Sequence, residues 1–322
     1  MTEAATTVVF SVLGRTLVAN GVDEDVATWL RHHWERPQHR VAESPYRITL
    51  EHLRASSLPA TLRSRLPERR QPTPGDAQVV HTTADDRRAA VLLGSKAGGV
   101  HLELDPHGAH IGAWGVTGPQ ALGRWALLLA LHEAVRASGL LPLHCSAAIR
   151  PGDGGATVFM GPSGVGKSTT LIRLARAGWS PVCEDVAWLD PESRALFAWD
   201  DGIRLREDGF AHPAQFAGSA RLRTDPPKHL VTYGHLADHY GVQRQTSAPL
   251  QRLAHLVRGT GPSRWGRLSR SSAVPPLWEA IGLPLTRPAQ RQVARQIAAL
   301  VDTVSRCTLF LGDAPSSDRT LP

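Results

Sequence analysis

ATVFMGPSGVGKSTTLIRLARA, residues 156–177, is the segment from which the rest of the chain is read. Its centre, Gly161-Pro162-Ser163-Gly164-Val165-Gly166-Lys167-Ser168, has the spacing G-x-x-x-x-G-K-[ST] of a phosphate-binding loop. Glycines at those positions let successive backbone N–H groups turn inward and cradle phosphate oxygens at a helix N-terminus. Lys167 is expected to reach the β- and γ-phosphates of a nucleotide, and the Ser168 hydroxyl to hold Mg²⁺, with Thr169 completing the loop edge. The flanks agree. Ala156 to Met160 is apolar and reads as a buried strand, while Ser168 to Ala177 reads as a helix stopped by Gly178. The chain is arginine-rich, and its only lysines are Lys96, Lys167 and Lys228. One of the three therefore occupies the position where a compact point charge suits phosphate.

At 322 residues the chain can hold one large or two modest domains, each with a sizeable core. Hydrophobic content of 42% and charged content of 20% are ordinary for a globular protein. A net charge of +7 favours anionic partners. The cysteines Cys145, Cys183 and Cys307 are odd in number and widely spaced, which suits neither a disulfide framework nor a zinc site. A reducing cytoplasm is the expected location. The N-terminus has neither a basic n-region nor a clear cleavage site, so no signal peptide is expected. The longest apolar run, Trp125 to Leu131, is too short for a membrane span, and no membrane partner is expected.

Periodicity predicts strands at Thr7 to Leu13 and Tyr46 to Leu50 and a helix at Glu24 to His33. A basic, proline-containing stretch, Arg63 to Gly75, reads as a linker or exposed loop. Strands follow at Ala90 to Leu93, Val100 to Leu104 and His110 to Trp114, then a helix over Leu122 to Ala137. Residues 1–140 thus form an expected N-terminal α+β region for substrate or partner recognition, and residues 141–322 the catalytic domain. In the latter, Leu143 to Arg150 and Val182 to Leu189 each read as one strand. Leu196 to Trp199 and Gly202 to Arg206 suggest a hairpin through Asp200-Asp201-Gly202. Arg291 to Val304 reads as a helix and Cys307 to Leu311 as a closing strand. So many strands after the loop helix predict a mixed sheet.

Phosphoryl transfer needs a phosphate cradle, a held metal and a group that orients or deprotonates the acceptor. Glu184 and Asp185 follow Pro181-Val182-Cys183, one helix and one turn past the loop, where a metal-holding carboxylate is wanted. Neighbours on a strand point to opposite faces. The two acids then have different roles, or a local bend brings both to the site. His144 lies on the strand before the loop strand, among apolar residues.

Three segments in order, LHCSAAIR, GATVFMGPSGVGKSTT and GWSPVCEDVAWLD, resemble the catalytic domain of the HPr kinase/phosphorylase family. The resemblance is closer to its wider relatives, including kinases found with lasso-peptide and other ribosomal peptide gene clusters. The sharp match covers about Leu143 to Asp190. It implies an α/β fold: a P-loop nucleotide-binding domain of the HPr-kinase/PEP-carboxykinase-like type, with a mixed sheet. It implies ATP and Mg²⁺, and transfer of the γ-phosphoryl group to a serine hydroxyl of a peptide or protein, with peptide natural-product tailoring in view. The family's acidic pair falls on Glu184 and Asp185, one a general base and the other a metal ligand, with Asp185 taken as the base. His144 falls on the supporting histidine. Two positions depart from the pattern. The first acid is Glu184 where the family usually has Asp, and Thr169 follows Ser168 where HPr kinase proper has Glu. HPr itself and the phosphorylase reaction are therefore not carried over. Family members include oligomers, so a homo-oligomer is compatible with the resemblance.

Further cations are candidate contacts to substrate or phosphate. Lys228 lies in Thr224-Asp225-Pro226-Pro227-Lys228. Arg204 and Arg206 alternate on a strand and point the same way. Arg264 and Arg267 lie in the basic loop Arg258 to Arg270, where with Arg270 they would line a peptide groove. One tryptophan among these arginines is thin support for nucleic acid, which is not an expected partner. His235 and His239 are spaced as a zinc pair but have no evident further ligand. No N-K-x-D guanine motif occurs. Two alternatives stay open beside the peptide kinase: a kinase of a small hydroxylated metabolite such as free serine, and a nucleotide-binding regulator without transfer chemistry.

Overall fold

A computed structural model describes residues 6–35, 44–67, 79–85, 88–118, 121, 123–206, 220–222 and 227–312. The chain divides into two units, Met1–Leu140 with Pro284–Val293, and Leu141–Leu283 with Ala294–Pro322. In this division Pro284–Val293 groups with the N-terminal residues. Both units are mixed α/β.

The first unit runs β1 (Thr6–Val12), β2 (Arg15–Val22), α1 (Glu24–Trp34), β3 (Arg47–His52), the short α2 (Ala60–Arg63), β4 (Val79–Ala84), β5 (Ala89–Ser95), β6 (Gly98–Asp105), β7 (Gly108–Trp114) and α3 (Gly123–Ala137). Its seven-stranded sheet has the order β1-β2-β3-β7-β6-β5-β4. The pairs β2–β3 and β3–β7 are parallel, whereas the others are antiparallel. Alternation explains which face packs: Val100, Leu102 and Leu104 of β6 are buried, and α3 packs on β6 and β7. Asp23 caps α1 by accepting from the Val26 amide at 2.8 Å. The buried Trp34 closes the helix edge-on to His132, with ring centroids 5.1 Å apart. Sequence periodicity misses β2. Of the expected linker, residues 68–75 lie outside the described residues.

The remainder runs β8 (Leu141–His144), β9 (Ser146–Ile149), β10 (Ala156–Met160), α4 (Lys167–Arg176), β11 (Ser180–Cys183), β12 (Val186–Leu189), β13 (Ala195–Ala198), β14 (Gly202–Arg206), β15 (Ala220–Leu222), β16 (Lys228–Thr232), α5 (Tyr233–Tyr240), β17 (Ser247–Arg258), β18 (Arg264–Arg267), α6 (Arg270–Ile281), α7 (Arg287–Thr303) and β19 (Ser305–Leu311). A nine-stranded sheet has the order β11-β9-β10-β17-β13-β12-β8, with β19 beside β17 and β18 beside β19. It is mixed, as the strand-rich tail predicts. The loop strand β10 is parallel to β17, and β17 is parallel to β19. The twelve-residue β17 is the longest strand and is among those that sequence reading missed. It pairs with β10 along one edge and with β13 and β19 along the other.

Three strand assignments change. Leu143 to Arg150 is two strands, β8 and β9, separated at Cys145, and Val182 to Leu189 is two strands, β11 and β12, separated at Glu184 and Asp185. In each pair the halves find partners at opposite ends of the sheet path, so the path returns to its starting corner there. The expected hairpin through Asp200-Asp201-Gly202 does not form. β13 pairs with β12 and β17, whereas β14 leaves for a separate three-stranded sheet, β14-β16-β15.

All five residues of β10 are buried. Beneath the loop helix, Phe159 packs with Leu171, Leu174, Trp179 and Leu256, with its ring 6.5 Å from that of Trp179. Phe159→Ala is expected to lower unfolding free energy by about 3–5 kcal/mol, through lost burial plus the cavity left behind. Urea unfolding followed by circular dichroism checks this; a loss below about 1 kcal/mol would place Phe159 outside the core.

Candidate active site

The glycine-rich loop leaves β10 at Gly161 and enters α4 at Lys167. Gly161 has φ +149°, and a Cβ there would lie 3.1 Å from the Leu256 carbonyl oxygen. Gly166 caps α4 in the left-handed region at φ +116°, and a Cβ there would meet the Leu311 side chain at 3.2 Å. A side chain at either position would be strained and crowded, so glycine is required by the backbone path. The Lys167 ammonium donates to the Gly161 carbonyl at 2.7 Å and to that of Pro162 at 3.3 Å. It therefore spans the loop from within. Burial pushes it below the usual lysine range, against the pull of Asp185, Glu184 and Glu279. Arg258, at the end of β17, donates to the Gly164 carbonyl at 2.9 Å and braces the loop tip.

Glu184 and Asp185 occupy a bend, not a continuous strand. Of the two arrangements left open by sequence, the bend is the one found. It faces the Cys145 break in the neighbouring strand pair: the Cys145 amide donates to the Asp185 carbonyl at 3.1 Å, and Ser146 Oγ to the Glu184 carbonyl at 2.9 Å. The Glu184 side chain turns toward the loop, where its Oε1 accepts from Ser168 Oγ. The Asp185 side chain turns toward β8 and β14. His144 Nδ1 lies 3.0 Å from Asp185 Oδ1, and Arg204 Nη1 donates to Oδ2 at 2.7 Å.

The two adjacent carboxylates are shifted in opposite directions. Burial raises Glu184 from 4.5 to about 6; the Ser168 hydrogen bond opposes the shift, and the Asp185 charge adds to it. For Asp185, the hydrogen bond from His144 leads, and the charges of His144, Arg204 and Lys228 add to it. Together they overcome desolvation and hold the group below the usual aspartate value. Environment thus separates two like groups into one near neutrality and one firmly ionised.

A cleft of about 410 Å³ gathers these groups. Of the residues selected from sequence, His144, Ser163, Gly164, Gly166, Lys167, Ser168, Thr169, Glu184, Asp185, Arg204, Arg206 and Lys228 line it. Gly161 sits behind it as the acceptor for Lys167. Val165 lines a second hollow of about 190 Å³ with Arg173 and Leu311; this hollow shares Gly166, Thr169 and Arg258 with the first. Arg206 and Lys228 are cross-strand neighbours, and neither makes an ion pair among the described residues.

Arg264 and Arg267 are not brought to the cleft. Their segment is not a free loop; it is β18, paired with β19, and the Arg264 guanidinium stacks over Phe310 at 4.3 Å. Arg270 pairs with Asp302 at 2.8 Å. None of these three arginines lines the cleft of the glycine-rich loop. His235 and His239 share a face of α5, but no group of three or more His, Cys, Asp or Glu suited to a metal occurs among the described residues.

Sequence reading also missed Asp200. Its Oδ2 accepts from the amides of Glu184, at 2.5 Å, and Asp185, at 2.8 Å; its Oδ1 accepts from Tyr233 Oη at 2.7 Å and Arg244 Nη2 at 3.1 Å. Asp200-Asp201-Gly202 reads as turn chemistry, and nothing local shows that the first acid points inward. No family model and no curated protein matches the chain. Among the described residues no helix is long and apolar enough to cross a membrane.

The raised Glu184 pKa sets a stability prediction. Between about pH 4.5 and 6 the native state holds a proton that the unfolded chain has lost, so stability falls as pH rises through that window. Glu184→Gln removes the penalty. It is expected to stabilise the protein by about 1–2 kcal/mol at pH 7.5 and by nothing comparable at pH 4. Denaturant titrations at the two pH values check this; an equal effect at both would show that Glu184 titrates normally.

Proposed function

We propose that this protein is an ATP-dependent kinase that moves the γ-phosphoryl group to a hydroxyl, that of a serine in a peptide or protein. In this reading it is a P-loop kinase of HPr-kinase-like type. The observation that carries the proposal is the convergence on one cleft of the glycine-rich loop with Lys167, of Glu184 bonded to the Ser168 hydroxyl, and of the adjacent Asp185 held by His144 and Arg204. A phosphate cradle joined directly to two differently tuned carboxylates is what phosphoryl transfer requires.

The loop amides and Lys167 take the phosphates, and the nucleoside lies toward the hollow bordered by Val165, Arg173 and Leu311. Ser168 and Glu184 would hold Mg²⁺, with Asp185 close by. A buried carboxylate raised to about 6 and already touching a hydroxyl is a donor pair that a hard cation would satisfy. Such an ion takes most of its remaining ligands from phosphate and water, so a cluster of three protein ligands is not needed. When bound, it would neutralise charge on the transferring group. Asp185 accepts the acceptor hydroxyl's proton on a carboxylate oxygen. The acceptor oxygen bonds to the γ-phosphorus as the bond to the ADP oxygen breaks. A carboxylate held below its usual pKa is ionised at neutral pH. It is a modest base, which suits a loose transition state in which the proton leaves late. His144 and Arg204 each hold one oxygen of Asp185, fixing its plane.

The far wall of the cleft supplies the acceptor preference. Arg206 and Lys228, both without ion-pair partners among the described residues, favour an acceptor with an acidic group near its hydroxyl. The same wall also fits a second reading, a small hydroxy acid such as free serine.

The test is transfer from γ-labelled ATP and Mg²⁺ to serine peptides with acidic flanks and, separately, to free serine. Label in peptide supports the main reading, label in free serine the second, and label in neither overturns both. Lys167→Ala is expected to abolish transfer. Asp185→Asn should bind nucleotide with near-native affinity and lose about 10²–10⁴-fold in kcat. Full turnover in Asp185→Asn would remove it as the base. Arg206→Ala combined with Lys228→Ala should raise KM for the acceptor about tenfold or more without changing KM for ATP. A matched rise in both would assign the pair to nucleotide instead.

A further inference from the structure

We infer that Asp200 is the positioning residue that sets the spacing of Glu184 and Asp185 relative to the glycine-rich loop. The inference rests on the kinase reading for its rate consequence, but its geometry stands independently.

Where β11 gives way to β12, the Glu184 and Asp185 amides leave the strand ladder. Amides withdrawn from water need acceptors, and the bonds made here are buried for Glu184 and part-buried for Asp185. The Asp200 side chain, 2% exposed, fills the gap by placing Oδ2 on both amides at once. One oxygen therefore fixes two successive residues, and with them the divergence of their side chains. Glu184 goes to Ser168 and Asp185 to His144 and Arg204.

The clamp is itself held on its other side. Tyr233, the first residue of α5, donates to Oδ1, and Arg244 donates to Oδ1, to the Asp200 carbonyl at 2.5 Å and to the Val182 carbonyl at 3.2 Å. The Arg244 guanidinium also stacks on the Tyr233 ring at 4.0 Å. Asp200 thus has no freedom to follow the bend, so the bend must follow it. Neither Asp200, Tyr233 nor Arg244 lines the cleft, so their effect reaches the chemistry only through Glu184 and Asp185.

The experiment uses the full chain and two variants. Asp200→Ala deletes the clamp. Asp200→Glu keeps the charge but moves the oxygens by one methylene. Hydrogen exchange at the Glu184 and Asp185 amides is read by mass spectrometry, nucleotide affinity by titration with ATP, and transfer with the acceptor established for the wild-type protein. In Asp200→Ala both amides are expected to lose protection while the loop helix keeps it. In Asp200→Glu, kcat is expected to fall about 10–100-fold while nucleotide affinity stays within about threefold, because misplacement of about 1 Å suffices for that loss. A merely structural role would lower stability and nucleotide binding together. Native kcat in Asp200→Glu overturns the inference even if Asp200→Ala fails to fold. Should the wild-type protein transfer no phosphate at all, the kinase reading fails separately. Unchanged exchange at the two amides in a folded variant would then still overturn the positioning role.

Discussion

Backbone N–H groups that leave a strand ladder inside a protein must find acceptors, and this requirement organises the second unit. Two neighbouring strand pairs change partners at the same place, at Cys145 and at Glu184-Asp185. The carbonyls there accept from Cys145 and Ser146, and the amides of the two acids go to Asp200. Because that satisfaction is complete, the bend is as well defined as a strand while pointing its side chains where a strand cannot. On a continuous strand, adjacent residues face opposite sides of the sheet. Here both acids reach one cleft.

The electrostatics follow from that geometry. Glu184 is buried against Ser168 and is raised; Asp185, half-buried between His144 and Arg204, is lowered. Two like groups whose environments drive them apart are a recurrent arrangement where acid, base and metal-holding roles must be divided at one pH. The proposed transfer uses that division, with the raised group beside the loop hydroxyl and the ionised one facing the acceptor. Lys167, spanning its own loop through the Gly161 and Pro162 carbonyls, would exchange those contacts for phosphate oxygens.

Much of this was legible in the chain. The loop could be read because its requirements are local: Gly166 must take a left-handed φ, and Lys167 and Ser168 must follow it at fixed offsets. Strand β10 and helix α4 could be read because an apolar run and a helical stripe border that loop. The acids and His144 were legible as candidates because they are chemistry-bearing residues on the segments that adjoin, in chain order, the loop strand and its helix. The reading of residues 258–270 as a loop changed for a complementary reason. A basic stretch rich in glycine and serine looks like a free loop, yet cross-strand pairing with β19 and stacking on Phe310 turned it into a sheet edge.

What the sequence determined, then, was chiefly what is local: the glycine-rich loop with the strand and helix that border it, the helices α1, α3, α4 and α7, and the identity of the groups able to carry charge. The tertiary structure alone decided the rest. Strand β17 carries no local strand signature that separates it from its surroundings, and it becomes the centre of the sheet because β10, β13 and β19 supply its partners. The split of two apparent strands into four depends on pairing across the sheet. Asp200 lies 16 residues from Glu184 in sequence, so its role as acceptor for that amide could not be seen from either segment. Hydrogen-bond satisfaction of buried backbone is a property of the assembled fold, and no local pattern records which distant carboxylate will provide it.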